Sequence, residues 1–205
     1  MTNYPRTPGH AIDSLFTDRW SPRSFTAEPL PEAVLMRMFE AARWAPSSYN
    51  YQPWRFLYAL RDTPEWPIFL GLLTDVNQIW AFRASALVFI LSDSRVMRPG
   101  NDQPVDSYTH VFDSGLAYAQ LALQATRMGW ITHCMQGFDK DRAHSELDVP
   151  RDLRINAVTA IGRQGEPQQL SEALQAREKP SDRRPLGDLI RCGKAPPSWR
   201  VPAAP

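Results

Sequence analysis

From Ser114 to Thr126 the chain reads SGLAYAQLALQAT, thirteen residues without a charge and apolar or small on every side of a helical projection. A helix of that composition has no face to give to water and needs cover all round. At about 1.5 Å per residue it spans only about 20 Å, and it carries Gln120 and Gln124, so it does not suit a bilayer. The segment therefore predicts a central helix, packed inside its own fold or against a second subunit. A chain of 205 residues can enclose such a helix. At roughly 150 residues per domain it is read as one domain, 1–205, and a chain of this size removes about 70% of its extended surface from water.

Nineteen prolines place the other elements, because proline lacks an N–H and is excluded from helix interiors and central strands. Glu32 to Ala45 sets Leu35, Met38, Phe39, Ala42 and Ala45 at helical spacing, entered through Pro31 and stopped by Pro46. RFLYAL (55–60), SALVFILS (85–92) and INAVTAI (155–161) are short runs rich in β-branched and aromatic residues and predict buried strands. A weakly patterned helix is expected over 65–82, a left-handed cap at Gly129, and a short helix over 139–147 closed by Pro150. From Gly193 the sequence GKAPPSWRVPAAP predicts an extended C-terminal arm, about 193–205. Together these give an α+β fold, with a helix, strand, helix, strand, long buried helix, strand, tail order.

Composition removes several functions. Twenty-three basic and 22 acidic residues, net charge +1, argue against a nucleic-acid or membrane-surface binder. Two cysteines, Cys134 and Cys192, form no disulfide framework and no zinc-ligand spacing, and the first ten residues do not read as a secretory signal, so a cytoplasmic location is expected. No glycine-rich phosphate cradle, no G-x-S-x-G elbow and no H-E-x-x-H occurs. His133 beside Cys134 is either a site pair or a packed cysteine with a partly exposed histidine. No metal site and no catalytic side chain is expected.

Unusual polar groups gather in three places. Arg19 to Phe25, RWSPRSF, brackets a serine with arginines, which suits a phosphate monoester or a solvated basic turn. APSSYNYQPW (45–54) sets Ser47, Ser48, Asn50 and Gln52 among three aromatic rings, suited to the edge of a flat heterocycle or to a structured turn around an aromatic minicore. Arg183-Arg184-Pro185 is an arginine pair that is ordinary surface unless it folds back on the first cluster.

In this order the segments resemble the FMN-dependent nitroreductase family. The family's R-[RH]-S-x-[RK]-x-F segment matches 19–25, A-A-x-x-A-P-S-x-x-N-x-Q-P-W matches AARWAPSSYNYQPW (41–54), the G-F-D triplet matches 137–139, and the late arginine before Pro-Leu matches RRPLGDLI (183–190). The resemblance covers about 15–191.

It implies a central mixed or antiparallel sheet flanked by helices, in an obligate homodimer with long buried interface helices and FMN at the interface. Arg19, Ser21 and Arg183, with Arg184, would hold the FMN phosphate. Arg23 would lie toward the N1 and C2 carbonyl side of the ring, where positive charge favours the anionic reduced form. Asn50 of the other subunit would bond the pyrimidine edge, with Pro46, Ser47 and Ser48 lining the ring. Cys134, Met135, Gln136 and Gly137 would pass the dimethylbenzene and N5 region. Trp20, among the cofactor contacts, replaces a second basic residue, and Gln136 stands where some members have Glu. The implied activity is reduction of nitroaromatic or quinone-type acceptors with NADH or NADPH by a ping-pong flavin mechanism. Other reactions of the fold (dehalogenation, flavin cleavage, azoline oxidation) and non-catalytic FMN binding stand as alternatives.

Overall fold

The run SALVFILS is the middle of the molecule, buried on both faces, in a computed structural model that describes residues 6–199. The elements are α1 (Leu15–Asp18), α2 (Glu32–Arg43), β1 (Trp54–Leu60), α3 (Trp66–Gly71), α4 (Asp75–Ala81), β2 (Ala86–Asp93), β3 (Arg95–Val96) and β4 (Val105–Asp106). There follow α5 (His110–Arg127), β5 (Ile131–Met135), α6 (Lys140–Glu146), β6 (Leu153–Gly162) and α7 (Glu172–Gln175). One four-stranded sheet runs β1-β2-β6-β5, antiparallel at every pairing, and β3 and β4 form a separate hairpin.

Side chains of β2 alternate between two cores, as a strand's period of two requires. Leu87, Phe89 and Leu91 join Phe69, Leu72, Trp80 and Phe138 on the face covered by α3 and α4. Ala86 and Val88 face the other way, with Leu35, Met38 and Ala42 of α2 and Ala117, Leu121 and Ala125 of α5. Burial on both sides explains why this strand shows no polar alternation in sequence.

The helix expected over 65–82 is two helices, α3 and α4, broken at Leu72–Thr74 where Leu72 and Thr74 bond across to Asp139 and Gly137. Strand β5 has no counterpart in the sequence expectations, because ITHCM is short and polar at its centre. Gly129 takes φ +76 as the left-handed cap after α5. Of the arm expected from 193, residues 197–199 form a 3-10 turn and 200–205 lie outside the described residues.

Helix α5 departs from cover all round. Asp113, Ser114, Ala117, Leu121, Ala122 and Ala125 are buried, but Phe112 stays 69% exposed and Gly115 and Ala119 lie open on the same side. A Cβ built on Gly115 would meet nothing within 4 Å. The chargeless face is thus left bare within one chain. No helix among the described residues is long and apolar enough to cross a membrane.

Candidate active site

The basic segment 19–25 is held flat against β6 and the turn after it. Phe25 bridges to Gln164, Thr26 N–H donates to Arg163 O, and Gly165 N–H donates to Ser24 O at 2.8 Å. Glycine is required at 165, since a Cβ there would stand 2.9 Å from the Phe25 carbonyl carbon. Ser24 Oγ donates to Glu166 O. The strongest fixture comes from Glu178, 6% exposed, whose Oε1 accepts both Arg23 N–H at 2.7 Å and Ser24 N–H at 2.8 Å. Its Oε2 is buried without a partner among the described residues. Glu178 did not figure in the sequence expectations: it lies 155 positions from Arg23 in a charged run that looks like surface.

Arginines converge at one end of this segment. Arg6 Nη1 donates to Thr17 O at 2.9 Å and to Arg19 O at 2.7 Å. Its guanidinium is held below the ordinary arginine range first by partial burial, then by the charges of Arg183 and Arg19, with Asp182 opposing. The late arginine therefore does fold back on the first cluster, and it is Arg183 whose charge reaches Arg6. Arg183 is exposed and braced by Ser181 Oγ and O, while Arg184 is also exposed. Three cations with one acid among them form a donor set short of negative charge, which fits a phosphate dianion. Trp20 and Ser21 lie between, half-buried. Arg6, which local pattern gave no reason to include, adds a third cation at this end.

Farther along, β5 meets the same segment. His133 Nδ1 lies 3.0 Å from Pro22 O. A carbonyl oxygen only accepts, so Nδ1 carries the proton and Nε2 is bare. Burial, then the Arg23 charge, push this imidazole down to about 4 against the pull of the Pro22 and Ser21 carbonyls. Between about 4 and the ordinary imidazole range the unfolded chain binds a proton that the folded chain refuses. The stabilising contribution is therefore full above that range and is lost as pH falls toward 4, by up to about 3 kcal/mol. We expect His133→Gln to remove this part of the acid-side fall in Tm between pH 7 and 4.5. Equal pH slopes in both proteins would refute it.

Cys134 is half-buried, and its thiol is pushed up to about 11, mainly by desolvation. Tyr118 of α5 is pushed up to about 12 for the same reason, and feels both Cys134 and the Arg19 charge. Both stay protonated at neutral pH, so the Cys134–His133 pair is no thiolate nucleophile. The Met135 side chain sits in the core cluster, leaving only its backbone for a ligand. Gln136 is exposed. Gly137 O accepts from Thr74 N–H and from Asn77 Nδ2 at 2.9 Å, and a Cβ at 137 would stand 2.4 Å from that Nδ2. Arg19, Arg23, His133 and Cys134 are thereby brought together within one chain.

The turn at 46–52 belongs to a different neighbourhood. Tyr49, Asn50 and Gln52 all take left-handed φ, 49°, 59° and 50°, which only the Asn adopts readily. The strain is contained by Gln52 N–H donating to Ser47 Oγ at 3.0 Å, and by Ser48 N–H donating to Oδ2 of Asp113, buried at the start of α5. Pro46 and Asn50 are exposed, and Tyr49 stacks on Tyr51 at 5.7 Å while staying 83% exposed, so the pair is a surface stack and Trp54 packs separately in the core. This turn bonds to the first turn of α5 and lines a cleft together with the β3–β4 excursion. His110 is tied to Ser92 at 2.7 Å in a network with Asn156, the residue bulged out of β6 opposite Ile90 and Leu91.

Comparison with known proteins identifies the family and the fold. The model of the nitroreductase family matches residues 16–65 and 59–163. A Streptomyces coelicolor protein whose name proposes an NADH dehydrogenase/NAD(P)H nitroreductase is 46% identical over 177 residues, covering 77% of this chain and 85% of its own. A crystal structure described as an oxidoreductase containing FMN superposes with a TM-score of 0.90 at 42% identity, over 95% of this chain and 98% of that one. An Exiguobacterium sibiricum structure in complex with FMN shares the fold, with a TM-score of 0.72 and 23% identity over 91% and 100% of the two chains. The chain belongs to the nitroreductase family.

Proposed function

We propose that the protein is an FMN-dependent oxidoreductase that uses NADH or NADPH to reduce nitroaromatic or quinone-type acceptors. The observation that carries this is the convergence of Arg6, Arg19 and Arg183, short of compensating acid, at one end of a segment whose other end carries Arg23 against β5. Arg19 and Arg183 would hold the phosphate, with Ser21 beside them and Arg6 adding charge while it fixes the Arg19 carbonyl. When bound, FMN supplies the redox chemistry, taking electrons from a nicotinamide and passing them to a second substrate. Arg23, anchored through its own N–H to Glu178, provides a fixed positive charge beside the ring without proton transfer. Because the flavin carries the electrons, the reading assigns no side-chain acid; Cys134 and Tyr118 keep their protons at neutral pH, and His133 keeps the 21–23 backbone in course.

Asn50, with Pro46, Ser47 and Ser48, would reach the ring from a second copy. The bare chargeless face of α5, Phe112 to Ala119, supports a homodimer packed across that helix. One experiment tests the reading. The purified protein is denatured to release its flavin, weighed by light scattering, and mixed anaerobically with NADH and with NADPH before initial rates are taken against a nitroaromatic. Stoichiometric FMN, bleaching of its absorbance, a dimer mass and parallel double-reciprocal lines are expected. A colourless protein that leaves added FMN unchanged overturns the reading, flavin that neither nicotinamide reduces makes it a carrier, and intersecting lines remove the ping-pong step.

A further inference from the structure

The excursion between β2 and α5 builds a second feature beside the 46–52 turn. β3 and β4 pair through Arg95↔Asp106 and Val96↔Val105, and Arg95 is spent inside the hairpin, on Asp106 at 3.3 Å and on Pro104 O. Arg98, three residues on, has no ion pair or side-chain hydrogen bond among the described residues and lines a cleft of about 390 Å³. Facing it across that cleft is the strained turn, with Ser48, Tyr49 and Tyr51. Tyr108, at the entry to α5, is 96% exposed and Tyr49 is 83% exposed. No aspartate or glutamate lines the cleft, and the nearby Asp113 is buried with Oδ2 accepting from both Thr109 Oγ1 and Ser48 N–H.

We propose that this cleft takes a planar aromatic anion, with Arg98 as the residue that selects the negative charge. The proposal rests on the flavin-enzyme reading above, in which the same turn borders the ring. Tyr108 and the outer face of the stacked Tyr49–Tyr51 pair offer stacking surface to a flat ring, which prefers offset or edge contacts with aromatic neighbours. An unpaired guanidinium presents two parallel N–H donors to a carboxylate, a geometry a neutral amide cannot satisfy equally. Ser107, buried, and Thr109, whose hydroxyl donates to Asp113, complete the lining. A volume near 390 Å³ suits a single substituted ring and falls at the small end of ligand pockets. Acceptors carrying a carboxylate or an ionised phenol are therefore preferred over neutral ones of the same shape.

The test is calorimetric titration of the FMN-loaded protein, without any nicotinamide, with 4-nitrobenzoate and with 4-nitrobenzamide. The carboxylate is expected to bind about 5- to 10-fold tighter, from one partly exposed charge-assisted pair. Arg98→Gln brings the carboxylate down to the amide, and the wild-type preference narrows as salt rises from about 20 mM to about 500 mM. Equal affinities in the wild type, or a preference that survives in Arg98→Gln, overturn the proposal. Flavin content of the same samples separates the two readings. A colourless protein that still selects the benzoate through Arg98 sinks the flavin reading alone, and a yellow protein without selection sinks this one alone.

Discussion

Arg19→Ala is expected to weaken FMN binding about 10- to 100-fold, read as the dissociation constant of the reconstituted protein from flavin fluorescence. A guanidinium donating to a phosphate is worth roughly 1.5–3 kcal/mol, and each 1.4 kcal/mol is a factor of ten. Arg19 is the residue whose charge is felt at both ends of the site, by Arg6 on one side and by Tyr118, beside Cys134, on the other. Arg6 is unable to replace it, because its Nη1 is already committed to Thr17 O and Arg19 O. Arg183→Ala should act in the same direction and Arg184→Ala much less, since Arg183 is the partner that reaches Arg6. The loss should grow with salt if the bond is ionic. Unchanged affinity in Arg19→Ala would remove that residue from the phosphate site, whatever the enzyme then proves to reduce.

The same arginines show which parts of the site can be read along a chain. Prolines and apolar periodicity place α2, β1, β2, α5 and β6, because those signals are local and each element buries its face in the pattern its sequence announces. Residues whose role depends on neighbours far away in sequence leave no such trace. Arg6 lies in an N-terminal segment whose local pattern marks no role for it, yet it sits on the Arg19 carbonyl. Strand β5 is hidden by polar His133 and Thr132, which are accommodated by Pro22 O and by the Tyr118 hydroxyl. The chargeless stretch of α5 is legible as needing cover, but whether its own chain supplies that cover is a three-dimensional fact: Phe112, Gly115 and Ala119 stay uncovered within one chain, which is what supports the proposed homodimer.

Glu178→Ala carries the largest expected loss of stability, about 2–5 kcal/mol. One carboxylate oxygen satisfies two main-chain donors, Arg23 N–H and Ser24 N–H, in a place where Ser24 is 1% exposed and water has no ready access. Truncation orphans both, and a buried donor left without a partner costs roughly 1–3 kcal/mol. For a chain of this size the fall in Tm should be about 5–15 °C. Glu178→Gln keeps an acceptor oxygen for the two donors but gives up the charge and sets an amide NH2 at the unpartnered Oε2 position, so it should recover part of the loss. The pair of variants also separates fold from site. Glu178 touches backbone, so in the proposed site it would act on FMN only by holding the Arg19–Arg23 segment in course. FMN affinity should then fall in Glu178→Ala at a temperature where the protein is still folded, and return in Glu178→Gln. A Tm for Glu178→Ala within about 2 °C of wild type would mean that the clamp contributes little to stability. Stability lost with FMN affinity intact would mean that the basic segment keeps its shape without it.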